Sequence, residues 1–160
     1  MAKLTAHGIT LDPPAGWDGQ IYLREPQPLG AMAATYGASP ETPMPIAHLA
    51  NFALPAQRGD YGGGAIESMR PGGVFISILQ HDPSEVTAAL FKGRKIPWPL
   101  AADSFDLNAM PRRMGNHAAV QSFFIAGGRP YCVYVVIGSH TQRAILAPVV
   151  NQALATVSFT

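Results

Sequence analysis

The chain has 160 residues, 48% of them apolar and only 13% charged, with 16 Gly, 15 Pro and a single Cys. The charged share is about half of the ~25% usual in globular domains, which excludes a disordered chain and a solvated helical array, and the length suits one hydrophobic core. A net charge of +1 excludes a globally basic, polyanion-binding surface.

The charges are unevenly placed. All ten acidic residues lie between Asp12 and Asp106, so residues 1 to 106 carry seven basic side chains against ten acidic ones, a net −3, while residues 107 to 160 carry four Arg and no acid, a net +4. The two parts are electrostatically complementary. Cys132 has no partner for an intrachain disulfide, the first residues lack the apolar stretch of a signal peptide, and no run approaches the ~18 apolar residues of a membrane span. These features predict a cytoplasmic protein without a membrane span.

In chain order, residues 8 to 11 and 19 to 24 read as short strands separated by a turn at Asp12-Pro13-Pro14-Ala15-Gly16-Trp17, with Trp17 folding back on the core. Residues 26 to 45 hold five Pro, two Gly and one charge, Glu41, and read as a long loop. Ile46 to Leu54 is strand-like, with Leu49 facing one way and Ile46, His48 and Phe52 the other. A glycine-rich turn, 58 to 64, opens a short helical piece from Ala65 to Met69, which Pro71-Gly72-Gly73 stops. Val74 to Gln80 is apolar on both faces, as a central strand is.

Asp82-Pro83-Ser84-Glu85 carries a cap, a proline suited to the first helical position and a carboxylate at capping-box spacing, which predicts a helix to about Phe91. Residues 92 to 116 are irregular, with a short strand near Phe105 to Leu107. Ala119 to Ile125 and Tyr131 to Ile137 are β-rich runs joined across Gly127-Gly128, hence an antiparallel hairpin. In the second run Tyr131, Val133, Val135 and Ile137 share one face, and Cys132, Tyr134 and Val136 the other. Ser139 and Gln142 form a capping box for a final helix, 140 to about 155, which Pro148 should kink or restart and which packs through Ile145, Leu146, Val149, Val150, Leu154 and Val157. The fold class expected is one α+β domain over residues 1–160: an antiparallel β-sheet, including the run near 9, packed against helices, with the C-terminal helix across it.

The opening Ile9-Thr10-Leu11-Asp12-Pro13-Pro14-Ala15-Gly16-Trp17 and the closing Leu154-Ala155-Thr156-Val157-Ser158-Phe159 resemble the fold group of the photosystem II extrinsic protein PsbP and its Ran-binding nuclear-import relatives. The resemblance covers about a third of the chain and implies an antiparallel sheet between helices, in proteins that mostly act as binding and assembly modules. The whole chain also resembles small actinobacterial proteins, which implies no activity.

Candidate chemistry is sparse. Gly62-Gly63-Gly64 before a short helix has phosphate-cradling amides but lacks the lysine and hydroxyl of a P-loop, so a permissive turn is expected. His7, His48, His81, His117 and His140 show no metal-ligand spacing, and one Cys cannot build a zinc cluster, so neither metal nor cofactor is expected. Cys132 with His81 and Asp82, or Asp60 with His81 as an acid-base pair, is the arrangement an enzyme would use. Lys92, Arg94 and Lys95 beside Phe91 and Trp98, with Arg112 and Arg113, would serve a weak nucleic-acid binder. Ahead of both stands a noncatalytic protein-binding or assembly module, acting on copies of itself or on a partner protein. Between Met114 and Thr160 the only charges are Arg129 and Arg143, and the binding candidates there are Arg129, Gln142, Arg143, Asn151, Gln152 and Thr156.

Overall fold

The computed structural model describes residues 2–24 and 43–160. Most of the long loop predicted at 26–45 lies outside the described residues, and Pro45 already belongs to a strand. Among the described residues the strands are, in chain order, β1 (Leu4–Ala6), β2 (Ile9–Leu11), β3 (Asp18–Leu23), β4 (Pro45–Ala50), β5 (Val74–Gln80), β6 (Ala118–Ala126), β7 (Arg129–Ile137) and β8 (Ser158–Phe159), and an α-helix, α1 (Arg143–Leu154), precedes β8.

These form an α+β fold with two antiparallel sheets, not the single sheet expected. Five strands pair in the order β3-β4-β5-β7-β6, and β1, β2 and β8 make a separate small sheet. The run near 9 therefore pairs with the chain's closing residues, Ile9 opposite Phe159 and Thr10 opposite Ser158, instead of joining the large sheet. The β1–β2 and β6–β7 hairpins turn at His7-Gly8 and Gly127-Gly128, where all four residues hold positive φ. That is the two-residue turn whose twist matches its strands.

The inside-outside alternation holds across the large sheet. One face presents Leu49, Ile76, Ile78, Val133 and Val135 to Leu146, Val150 and Leu154 of α1 and to Ile9 and Leu11 of the small sheet, in the main core. The other buries Ala50, Phe75, Tyr134 and Val136 against Ile66, Met69 and Met110, with Ile46, Leu79 and Cys132 in a satellite cluster. β7 lies between β5 and β6 and is buried on both faces, as its pattern predicts.

Several local expectations are corrected. The helix from 83 to 91 is a 3-10 turn, Pro83–Thr87, although Asp82 does cap it through the Ser84 amide at 2.9 Å. No residue in that turn is buried, and Leu90 is exposed. A segment this short has no helical stability of its own without an apolar face to bury. The piece at 65–69 is likewise a 3-10 turn, Ile66–Ser68; β4 stops at Ala50; and the strand near 105–107 reduces to one bridge, Asp106 with Ala119. α1 starts at Arg143 and runs through Pro148 without a restart, Pro148 lying on its exposed side. Ile145, expected in the packing stripe, is 70% exposed, and Ala147 and Ala153 are buried with Leu146, Val150 and Leu154.

Candidate functional site

Each strand of the large sheet contributes a polar residue to one cross-strand row, and strand register aligns them. Gln20 of β3 lies opposite His48 of β4, His48 opposite Ser77 of β5, Ser77 opposite Tyr134 of β7, and Tyr134 opposite Gln121 of β6. The side chains form one polar row across the face that turns away from α1. His48 and Ser77 are fully buried, so their polar atoms must be satisfied within the protein.

The loop 58–62 supplies the partners. The Asp60 carbonyl accepts from the Ser77 hydroxyl at 2.6 Å and from His48 Nε2 at 2.9 Å. His48 Nδ1 accepts from Arg58 Nε at 2.8 Å, which places the imidazole proton on Nε2. The Arg58 guanidinium also donates to Pro55 O at 2.7 Å and to Gln20 Oε1. The Asp60 carboxylate takes the Tyr22 hydroxyl at 2.9 Å and pairs with Arg24 at 3.2 Å. Tyr61 closes the far end, edge-to-face on Tyr134 with ring centroids 5.4 Å apart. The row thus anchors a loop that would otherwise cross a flat sheet face.

Ser77, His48 and Asp60 have the composition of a hydrolytic triad without its wiring. In a triad the serine hydroxyl meets an imidazole nitrogen and the carboxylate orients the other. Here Ser77 donates to a main-chain carbonyl, an arginine occupies His48 Nδ1, and the Asp60 carboxylate faces Tyr22 and Arg24. Burial, reinforced by the Arg58 charge, lowers the His48 pKa to about 4, so the ring is neutral at pH 7; burial and the Asp60 carboxylate raise that of Tyr22. His48 and Ser77 were not singled out as a site by sequence. The signal available was a polar residue flanked by apolar ones inside a strand, His48 in Pro45–Ala50 and Ser77 in Val74–Gln80.

The sequence-derived candidates are scattered. Cys132 is fully buried, its sulfur accepting from Gln121 Nε2 at 3.2 Å, and desolvation pushes its thiol up to about 11. His81 sits 3.5 Å from Glu85 and packs on Phe91 and Phe123. Among the described residues His81 bonds neither Cys132 nor Asp60, and Asp60 is held by Tyr22 and Arg24, so neither catalytic pairing is assembled. The Asp82 carboxylate is spent on Ser84, whose amide and hydroxyl hold it below the usual range.

At the glycine triplet, the Gly64 amide already donates to the Glu67 carboxylate at 2.7 Å. Phe91 is 1% exposed, and Trp98 packs edge-on to Phe124, so these rings are committed inside the protein while Lys92, Arg94 and Lys95 stay exposed. Among the described residues no three His, Cys, Asp or Glu side chains are grouped as metal ligands, and no helix is long and apolar enough to cross a membrane.

Four of the six binding candidates serve the fold. Arg129 holds the Gly8 carbonyl at 3.3 Å and the Thr160 carbonyl; Asn151 brackets Leu100 with bonds of 2.7 and 2.9 Å; Thr156 donates to Ala153 O; and Arg143 pairs with Asp103 at 3.3 Å. Gln142 and Gln152 remain exposed on α1 and its approach. Compared with family models, curated proteins and solved structures, the chain matches none.

Proposed function

We propose that the chain is a noncatalytic protein-association module that pairs with a second copy of itself through the outer face of α1. The observation that carries this is the chemistry of that face. Ala144, Ile145, Pro148, Gln152 and Ala155 form one exposed stripe without a charge, and Ile145, towards its N-terminal end, is 70% exposed. An exposed helix face ordinarily carries charge. Arg143, the nearest cation, turns aside to Asp103.

A surface that meets its own copy across a two-fold axis brings like residues together, so a net charge there would repel. This stripe carries none, and its small residues let two helices approach closely. Pro148 has no amide hydrogen, so the Ala144 carbonyl lacks its usual donor and is free to accept from a partner's Gln152.

Two pockets open among the described residues. One, of about 380 Å³, is lined by Asn51, Phe52, Ser68, Met69, Arg70 and glycines; the other, of about 360 Å³, by Tyr61, Ala109, Met110, Pro111, Gln121 and Tyr134. Neither holds a carboxylate, imidazole or thiol to move a proton at pH 7. The likeness of the chain's ends to a fold group of binding and assembly modules points the same way. Sedimentation velocity on wild type and Ile145→Arg tests the proposal. A dimer that the variant converts to monomer supports it, and identical monomers contradict it.

A further inference from the structure

β6 is an edge strand of nine residues with no charge and no proline, the devices that usually protect such an edge. Its neighbours cover only the two ends. The Ala119 amide and carbonyl exchange hydrogen bonds with Asp106 at 3.0 and 2.9 Å, and the Ile125 amide donates to Arg94 O at 2.9 Å. Residues 119 and 125 thus turn their main chain outward, and strand alternation turns 121 and 123 the same way. Among the described residues the amides and carbonyls of Gln121 and Phe123 have no partner, which leaves a gap of about 20 Å between the two covered ends.

Beside this gap, on the face away from α1, lies the pocket of about 360 Å³ whose walls are Tyr61, Met110, Pro111 and Tyr134, with Gln121 of β6 at its border. The segments that cap the gap carry the surroundings' charge. Lys92, Arg94 and Lys95 lie at the Ile125 end, and Arg112 and Arg113 follow Pro111; all five are exposed, and none is in an ion pair among the described residues. The acid at the gap, Asp106, is taken by the Asn108 amide at 2.8 Å.

We infer that β6 binds an extended acidic peptide as a sixth strand, its main chain pairing with Gln121 and Phe123 and one apolar or aromatic side chain entering the Tyr61–Tyr134 pocket. Strand addition of this kind draws affinity from main-chain hydrogen bonds and selectivity from a side-chain pocket. The five unpaired cations select acidic flanks and, being alike on every copy, repel edge-to-edge pairing of two such chains. The site is independent of the α1 stripe, which lies on the opposite face of the sheet.

Fluorescence anisotropy with a fluorescein-labelled peptide, Asp-Glu-Phe-Thr-Val-Glu-Asp, tests the inference, with a counterpart carrying Lys at every acidic position as control. The acidic peptide is expected to bind, more weakly in high salt, and at least about tenfold more tightly than the control. Gln121→Pro removes an outward amide without touching the β6–β7 ladder, and should weaken binding by at least about tenfold, as should Tyr61→Ala. Equal binding of the two peptides, no binding of either, or binding indifferent to both substitutions overturns the inference. If Gln121→Pro does not fold by circular dichroism, the acidic peptide methylated at alternate amide nitrogens replaces it against wild type. Loss of binding in one methylation register supports strand addition, and equal binding in both registers contradicts it. If light scattering shows instead that two copies occupy the edge, Gln121→Pro will dissociate them, and that result also contradicts peptide binding there.

Discussion

His48 shows how a residue that looks reactive becomes structural. Both ring nitrogens are spent, on Arg58 and on the Asp60 carbonyl, and the ring is held neutral. Because its folded pKa, about 4, lies below the ordinary 6.5, the unfolded chain takes up a proton first as pH falls. The stability that this group contributes is therefore full above pH 6.5 and is lost progressively as pH drops towards 4, by roughly 3 kcal/mol in total. Urea unfolding at pH 7, 5 and 4 checks this, and His48→Gln should flatten that part of the profile. Cys132 should be unreactive for a related reason: a buried thiol pushed up to about 11 holds almost no thiolate at neutral pH. A thiol-reactive dye should label the native protein far more slowly than the denatured chain. Cys132→Ala should cost on the order of 1 kcal/mol through lost packing.

At the scale of elements, what repeats at short period was legible and what depends on distant partners was not. β5, β7 and the β6–β7 hairpin follow from alternation and from two glycines at the turn, and the two faces of β7 divide as their parity requires. The segment after Asp82 carried good capping chemistry yet made only a 3-10 turn, because a cap starts a helix and burial sustains it. β1 went unread because its turn, His7-Gly8, lacks the Asn or Asp that marks such turns, and because its sheet is completed by β8 from the far end of the chain. The polar row was invisible for the same reason: Gln20, His48, Ser77, Tyr134 and Gln121 become neighbours only through register. Close approach is another property that only the fold reveals. Gly138, just past β7, lies so near the Arg70 carbonyl that a Cβ would collide with main chain. Gly138→Ala should destabilise the protein by about 2 kcal/mol in thermal or urea unfolding, a cost that no nearby side chain can relieve by moving.

Across the whole molecule, β2 near the start of the chain and β8 near its close meet in one small sheet, and Arg129 ties that sheet to the β6–β7 turn through the Gly8 and Thr160 carbonyls. The C-terminal region's shortage of charge divides between two uses. Part of it is ordinary core, since Leu146, Ala147, Val150, Ala153 and Leu154 pack on the large sheet. The remainder is the outer stripe of α1, where Ile145 stays exposed and Gln152 offers polarity without charge. Covering such an Ile contributes about 1.5 to 3 kcal/mol per copy, less than the cost of association, so a stable pair needs the whole stripe and not that residue alone. The proposed self-association is tested most directly by the molar mass in solution, measured by light scattering through a dilution series from high to low micromolar concentration. Self-association through α1 predicts a mass near twice 17.0 kDa that falls towards 17.0 kDa on dilution. A mass of 17.0 kDa at every concentration would contradict it.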